Sequence, residues 1–559
     1  MTSRRTKRII PTILAIALLT TSAWAHDHSE NMDHGSHSDH DMGHMAHEHM
    51  SMIAPNNGTV DESYYFAYPS HKSWLYLHIL FMFFGWVVVL PLSISLFFIS
   101  FRLYLQSQIV FIATSAIGAA FGSHYKELTP DLYPNNAHSK LGHFLYFLVA
   151  LQVFLIAISS IIEVSCSARG SGQVGFMRVP QLPTEGIRRH SRDSGNGGSF
   201  SLNSSSENLS GPYSTYNDSD DEDTLHDEPL VEKPNQGNHG PWYKRLLDFG
   251  YHIFFMIECF LTRYTPWLMT PRVSRAFMNL YRYILILYIP LCFTAFTTGI
   301  ITASGIFKGS SVFNGLAHWI KGGIFVHYGF VTLLRYLGCF SSRGWDWPLT
   351  PAEKGVSFEV VESSLIAIYG FSNLFLEHLA AWGAEWSHGD LQHLGISFMF
   401  LGCGVLGLLI SFVAPRGTPN PVPALVVFLL GLLMGSHHQA SELSTRVHAQ
   451  WGALLSGAAV LRVITYCIYP RTGRQEEQGP ARPVTEVLAA FALIAGGGVF
   501  MGSARDTVQA MENRNVDAGF GLTVVIGLTA MGMAWVTGVV AVGGWLENRA
   551  RRVREGLAA

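Results

Sequence analysis

Apolar residues in this chain gather in long runs rather than at amphipathic spacing. Runs of roughly 20 residues match the ~30 Å hydrocarbon core of a bilayer at 1.5 Å rise per residue. Eleven candidate spans can be drawn, at about 74–101, 104–122, 141–163, 279–303, 314–338, 358–380, 391–414, 423–437, 447–468, 484–503 and 518–545. The run at 423–437 is the shortest, so the count is about 11. The pattern predicts an all-α fold, a polytopic transmembrane helical bundle.

The flanks of these runs give an orientation. Arg4, Arg5, Lys7 and Arg8 precede the short apolar stretch Ile9 to Thr20, and Ala23-Trp24-Ala25 follows. That is the layout of a secretory signal peptide over 1–25, after which the mature chain begins at His26 outside the cytoplasm. Arg102, then Arg169, Arg178, Arg188 and Arg189, then Arg335 and Arg343, all fall on one side if the spans alternate. Arg416, Arg471, Arg474, Arg482 and the terminal group from Arg549 to Arg554 join them. By the positive-inside rule that side is cytoplasmic, with the N-terminus outside or luminal and the C-terminus in the cytoplasm. The chain is therefore expected in a membrane of the secretory pathway, with plasma membrane, vacuole and Golgi equally open.

Composition agrees with a bilayer partner. Of 559 residues, 48% are apolar and 14% charged, against about 25% charge in a typical soluble domain. A net charge of −3 gives no basic field for nucleic acid. The cysteines lie in spans, at cytoplasmic helix ends or in a juxtamembrane stretch, so no disulfide framework is implied. Residues 164–240 are rich in Ser, Gly, Asn and Asp, which marks a disordered cytoplasmic linker. Within it Ser191 and Ser219 resemble kinase sites. The linker separates a three-helix block at 71–163 from a block at 241–559. The second block opens on an interfacial amphipathic stretch at Trp242 to Met269 and continues into about eight spans.

The expected outer tail, 26–70, carries the first candidate chemistry. Between His26 and Met52 it holds eight His and five Met. Imidazole suits Cu(II), Zn and Ni, and thioether selects Cu(I), so copper is favoured over zinc. The candidate ligands are His34, His37, His40, His44, His47, His49, Met42 and Met45. Such tails resemble those of fungal copper transporters. A passive polar spacer is the competing reading.

The other histidines collect at the same predicted ends of the spans. His78, His124, His138, His143, His318, His378, His393, His437, His438 and His448 all lie near the outer side, and His327 alone lies deep. Helices six and seven, and eight and nine, should pair as hairpins, bringing His378 toward His393 and His438 toward His448. With Glu377 these residues form a candidate Zn or Cu set, weighed against a structural polar cluster. Lys321, three residues after His318, is expected to snorkel or to pair with a carboxylate.

His78-Ile79-Leu80-Phe81-Met82, Gly85-Trp86, Pro91-Leu92 and Arg102 resemble the opening helix of the cytochrome b–ferric reductase transmembrane family. His138-Ser139-Lys140-Leu141-Gly142-His143 with Gln152 resembles its third helix. The resemblance implies a b-type haem held by His78 and either His138 or His143. The second helix shows Gln106 and Gln108 where that family has a His, so the resemblance supplies no ligand for a second haem. Over its full length the chain resembles the fungal Ytp-like integral membrane proteins. The matching residues are Phe375-Leu376-Glu377-His378, Leu391-Gln392-His393-Leu394-Gly395, Ser436-His437-His438-Gln439 and Val447-His448-Ala449-Gln450-Trp451-Gly452. That family is described as two domains of undefined function.

Three functions fit these readings. One is transition-metal handling at the outer face with a haem for electron transfer or metal reduction. Another is a metal transporter or sensor without catalysis. The third is a structural membrane protein without cofactor. No nucleophile elbow, phosphate loop, HExxH or Rossmann fingerprint is present, which argues against a hydrolase or kinase.

Overall fold

A computed structural model describes residues 64–97, 101–168, 270–309, 311–345, 356–377, 388–415, 418–436, 439–468 and 482–558, with a few isolated positions besides. The signal segment, the His/Met-rich tail, nearly all of the linker and most of the interfacial stretch lie outside the described residues.

Helices account for most of the described chain. They are α1 (Lys72–Phe97), α2 (Phe101–Leu128), α3 (Ala137–Ala168), α4 (Pro271–Ser304), α5 (Ser311–Tyr336) and α6 (Phe358–Leu376). There follow α7 (His388–Val413), α8 (Val422–Gly435), α9 (Glu442–Ile468), α10 (Val484–Gly502), the short α11 (Arg505–Glu512) and α12 (Ala518–Ala558). Among the described residues nine of these are long and apolar enough to cross a membrane. The other two runs marked by hydropathy are α5 and α8. The first has its apolar surface interrupted by His318, Lys321 and Arg335, and the second has only 14 residues. At 1.5 Å per residue α8 reaches about 21 Å, short of a full hydrocarbon core. α3 runs helically to Ala168, past the expected linker start at 164.

The chain forms two compact units. Among the described residues the smaller takes in the end of α3 from Val153 and the start of α4 up to Tyr281. There Ile158, Ile161 and Ile162 pack with Val273 and Phe277. The larger unit holds α1, α2, the start of α3, the end of α4 and everything after it.

Proline and glycine shape the larger unit. Pro91 has no N–H to give the Val87 carbonyl, and the preceding turn, Phe84–Val89, widens to a π-helix. In that wide turn the Trp86 carbonyl accepts from Cys292 Sγ of α4 at 4.0 Å. Lipid tails are as apolar as leucine, so membrane helices associate through close packing at small residues. A Cβ on Gly322 of α5 would stand 2.5 Å from the Gly497 carbonyl of α10, and one on Gly497 2.6 Å from the Gly322 carbonyl. Gly431 and Gly452 make the same backbone approach between α8 and α9. Gly370 against Leu401 and Gly404 against Ala367 do so between α6 and α7. The expected six–seven and eight–nine hairpins are thus packed helix pairs. Their common core includes Trp451, Leu455, Val426, Leu493 and Phe500.

Candidate functional site

The first candidate site is a pair of imidazoles. His78, in the second turn of α1, and His138, at the start of α3, have ring centroids 6.2 Å apart with planes at 84°. His78 Nδ1 donates to the Gly118 carbonyl of α2 at 2.7 Å, and His138 Nδ1 donates to the Ala295 carbonyl of α4 at 3.0 Å. A carbonyl can only accept, so each Nδ1 carries the proton and the neutral ring keeps a lone pair on Nε2. Metal-bound histidines are fixed by the same kind of outer hydrogen bond.

Glycines seat both rings. A Cβ on Gly122 would fall 2.6 Å from His78 Nδ1, and one on Gly299 3.1 Å from His138 Cε1. His143 is placed differently: its Nδ1 bonds the Ser139 carbonyl of its own helix at 2.7 Å, an exposed contact. His138, rather than His143, is the ring that neighbours His78. His124 packs edge-on against Trp74, with centroids 4.8 Å apart.

Farther along the same helices there is a buried polar knot. Gln152 Nε2 donates to Gln108 Oε1 at 2.6 Å, and Gln108 Nε2 donates to Ser93 Oγ at 2.7 Å. Gln108 of α2 thus joins an amide network.

The second candidate site lies at the α5–α6–α7 helix ends. Glu377, one residue past the end of α6, accepts from Lys321 Nζ of α5 at 2.7 Å and from His393 Nδ1 of α7 at 2.8 Å. Asn373 Nδ2 adds a bond to the same Oε1 at 2.6 Å and reaches Ser397 Oγ at 2.7 Å. Lys321 therefore takes the expected carboxylate partner. Glu377 thus holds the His393 ring through its Nδ1. Burial alone would raise the Glu377 carboxyl, but the His393 N–H and the Lys321 ammonium outweigh it and hold the group at about 2.

Beside this knot, His318 of α5 and His448 of α9 have centroids 6.0 Å apart with planes at 86°. Each Nδ1 bonds the carbonyl one turn back, Asn314 and Ser444, at 2.8 Å. Phe500 and Trp451, stacked 4.1 Å apart, close in on this pair. His378, His437 and His438 lie outside the described residues. Among the described residues no three His, Cys, Asp or Glu side chains converge as a metal group.

A third cluster was not anticipated. Arg462 of α9 pairs with Glu486 of α10 at 2.8 Å and with Glu362 of α6 at 3.3 Å. Its Nη2 reaches Thr332 Oγ1 at 3.2 Å, and Tyr328 donates to Glu362 Oε1 at 2.6 Å. Its signal was in the sequence: Glu362, Arg462 and Glu486 are ionisable residues inside predicted spans.

These features define a polytopic helical membrane protein with imidazole pairs and ion pairs held between its helices. Residues 291–544 match the family described as Protein YTP1-like, C-terminal, and residues 59–162 match the Domain of unknown function (DUF2427). An uncharacterized membrane protein of Schizosaccharomyces pombe is 29% identical over 539 residues, covering 90% of this chain and 99% of that protein. An uncharacterized membrane protein of Saccharomyces cerevisiae is 36% identical over 304 residues, 47% of each chain. Protein YTP1 of the same yeast is 32% identical over 189 residues, covering 34% of this chain and 38% of that protein. The chain is thus similar to the Ytp1-like membrane proteins of fungi over both of these segments.

Proposed function

We propose that this chain is a membrane redox protein in which His78 and His138 hold one b-type haem, serving electron transfer to transition metal at the non-cytoplasmic face. The carrying observation is the imidazole pair with both Nδ1 atoms tied to backbone carbonyls. Two imidazoles bound to one metal at about 2.0 Å have centroids about 6 Å apart. The 6.2 Å separation fits that requirement. Gly122 and Gly299 make room for the two rings. A haem bound there supplies one-electron chemistry, and its potential depends on ligand and burial. The chain's own part is to fix both tautomers and ring planes, through Gly118 and Ala295.

Copper is the favoured metal. The tail from His26 to Met52 offers imidazole and thioether together, as capture of both copper oxidation states requires. On this reading the tail faces the lumen or the exterior, as does the pair of His78 and His138.

The test is spectroscopic. Purified full-length protein, expressed with ample haem precursor, should show a Soret band that shifts on dithionite reduction. His78→Ala and His138→Ala should abolish it, and His143→Ala should keep it. Protein without a Soret band, or an unchanged spectrum in His78→Ala, sinks the haem.

A second reading, a metal transporter or sensor, draws on the pair of His318 and His448 beside the Glu377–His393 bond. Its test is metal content in a variant lacking residues 26–52. Copper or zinc retained there, and lost in His318→Ala or His448→Ala, supports it. No retained metal removes it.

A further inference from the structure

We propose that the C-terminal end of α12 binds anionic phospholipid, through Arg549 and Arg552 on the side of the helix that faces the bilayer. This is independent of the haem reading.

The two sides of α12 differ. On one, Thr529 and Met533 are buried. A Cβ on Gly532 would stand 3.2 Å from Phe330 of α5, and one on Gly543 3.7 Å from Ser95 of α1. At about 100° per residue, Trp545 lies on roughly the opposite side from Gly543. Its side chain is 58% exposed. Phe520, Val524, Met531 and Val542 fall within about 60° of it around the axis and are exposed as well. That side is the one α12 turns to lipid.

This face changes character at one point. From Phe520 to Trp545 is about 38 Å along the axis, between the ~30 Å hydrocarbon core and the ~40–45 Å that includes the headgroups. Tryptophan sits at headgroup level. The helix does not stop there but runs on to Ala558. One and two turns past Trp545, on the same side, stand Arg549 and Arg552, both exposed.

The Arg549 guanidinium lies 5.5 Å from the Trp545 ring centroid, a cation–π contact that keeps the charge beside the interfacial indole. Arg551, turned to another side, pairs with Glu547 at 4.0 Å. Among the described residues no carboxylate forms an ion pair with Arg549 or Arg552. Two guanidiniums without a protein counter-charge thus stand at the level of lipid phosphates, whose oxygens they can meet in bidentate fashion.

The headgroup class follows from charge. Phosphatidylcholine cancels its phosphate with its own ammonium, whereas an anionic headgroup offers a net charge to the arginines. Arg549, Arg551, Arg552 and Arg554 directly past a span form the juxtamembrane basic pattern that attracts such lipids. On the orientation read from the loop arginines this is the cytoplasmic leaflet. The indole against Arg549 favours lipid over an acidic protein segment.

The experiment titrates full-length protein in non-ionic detergent with dioctanoyl phosphatidylserine and dioctanoyl phosphatidylcholine, read by microscale thermophoresis. Wild type should bind the serine lipid at least tenfold more tightly, and added salt should shrink that preference. Each guanidinium contributes about fivefold. Arg549→Gln with Arg552→Gln should therefore bring the two lipids within about twofold of each other, whereas Arg549→Lys with Arg552→Lys should keep the preference. Arg446→Gln, at an exposed pair at the start of α9, should leave it within about twofold of wild type. Equal affinity of wild type for the two lipids overturns the proposal, as does a wild-type preference in the Gln pair. Inorganic phosphate or a polyglutamate peptide that displaces the serine lipid at equal concentration also overturns it, because the site would then take a free anion or an acidic protein. If the Gln pair does not purify as monodisperse protein, Arg552→Gln decides: a preference lowered about fivefold supports the site, and an unchanged one overturns it.

Discussion

Lys321 and Glu377 close a 2.7 Å ion pair between α5 and α6, and the Glu377 side chain is 10% exposed. Glu377→Gln leaves the ammonium without a charged partner. It should lower stability by about 1–3 kcal/mol, read as a lower melting temperature in detergent. The pH dependence has a definite sign. The folded carboxyl is held at about 2, below its unfolded value of about 4.3. The stability it contributes is therefore complete above the unfolded value and is lost as the pH falls from there through about 2. Wild type and Glu377→Gln should converge in melting temperature at the acid end. A gap undiminished at pH 2 would refute the assignment.

Gly122 tests the seat of His78 without touching an imidazole. Gly122→Ala puts a methyl 2.6 Å from Nδ1, so the ring must shift. Helix propensity alone favours this change by up to about 1 kcal/mol. The expected outcome is an altered or missing Soret band in protein that still purifies as wild type. Gly142, whose added Cβ meets nothing within 4 Å, is the control: Gly142→Ala should leave the spectrum intact.

Removing Arg462 leaves two buried carboxylates facing each other across α6 and α10. Arg462→Leu should cost about 3–5 kcal/mol. Adding Glu486→Gln and Glu362→Gln to that variant removes the uncompensated charge and should recover part of the loss. A triple variant no more stable than Arg462→Leu would mean that packing, not charge, sets the cost.

Glycosylation maps the sides of the membrane. Asn57-Gly58-Thr59 lies on the segment read as outer, and Asn203, Asn208 and Asn217 lie in the linker read as cytoplasmic. Glycosidase treatment should shorten wild type and leave Asn57→Gln unchanged. Glycan on a linker site would invert the orientation.

The helical architecture was legible because crossing a bilayer demands about 20 consecutive apolar residues, a signal that survives without any tertiary knowledge. The end-of-span position of His78, His138, His318 and His448 was legible for the same reason. Their pairing was not, because it depends on which helix neighbours which. His138 is fixed by Ala295, a residue of α4 with no polar side chain to announce it. The charged cluster around Arg462 was open to reading one residue at a time. Its convergence came from helices far apart in the chain, through backbone approaches such as Gly322 on Gly497 that place α5 beside α10. The bond from Cys292 to the Trp86 carbonyl in the widened turn of α1 likewise belongs to the fold alone.

The touching backbones of α5 and α10 leave no side-chain cushion over which these two rods could slip. Any rearrangement of the bundle must carry them together, so Lys321, Tyr328 and Glu486 travel as cargo of one rigid strut. α6 joins that strut by side chains alone in these bonds, Glu362 to Tyr328 and Glu377 to Lys321.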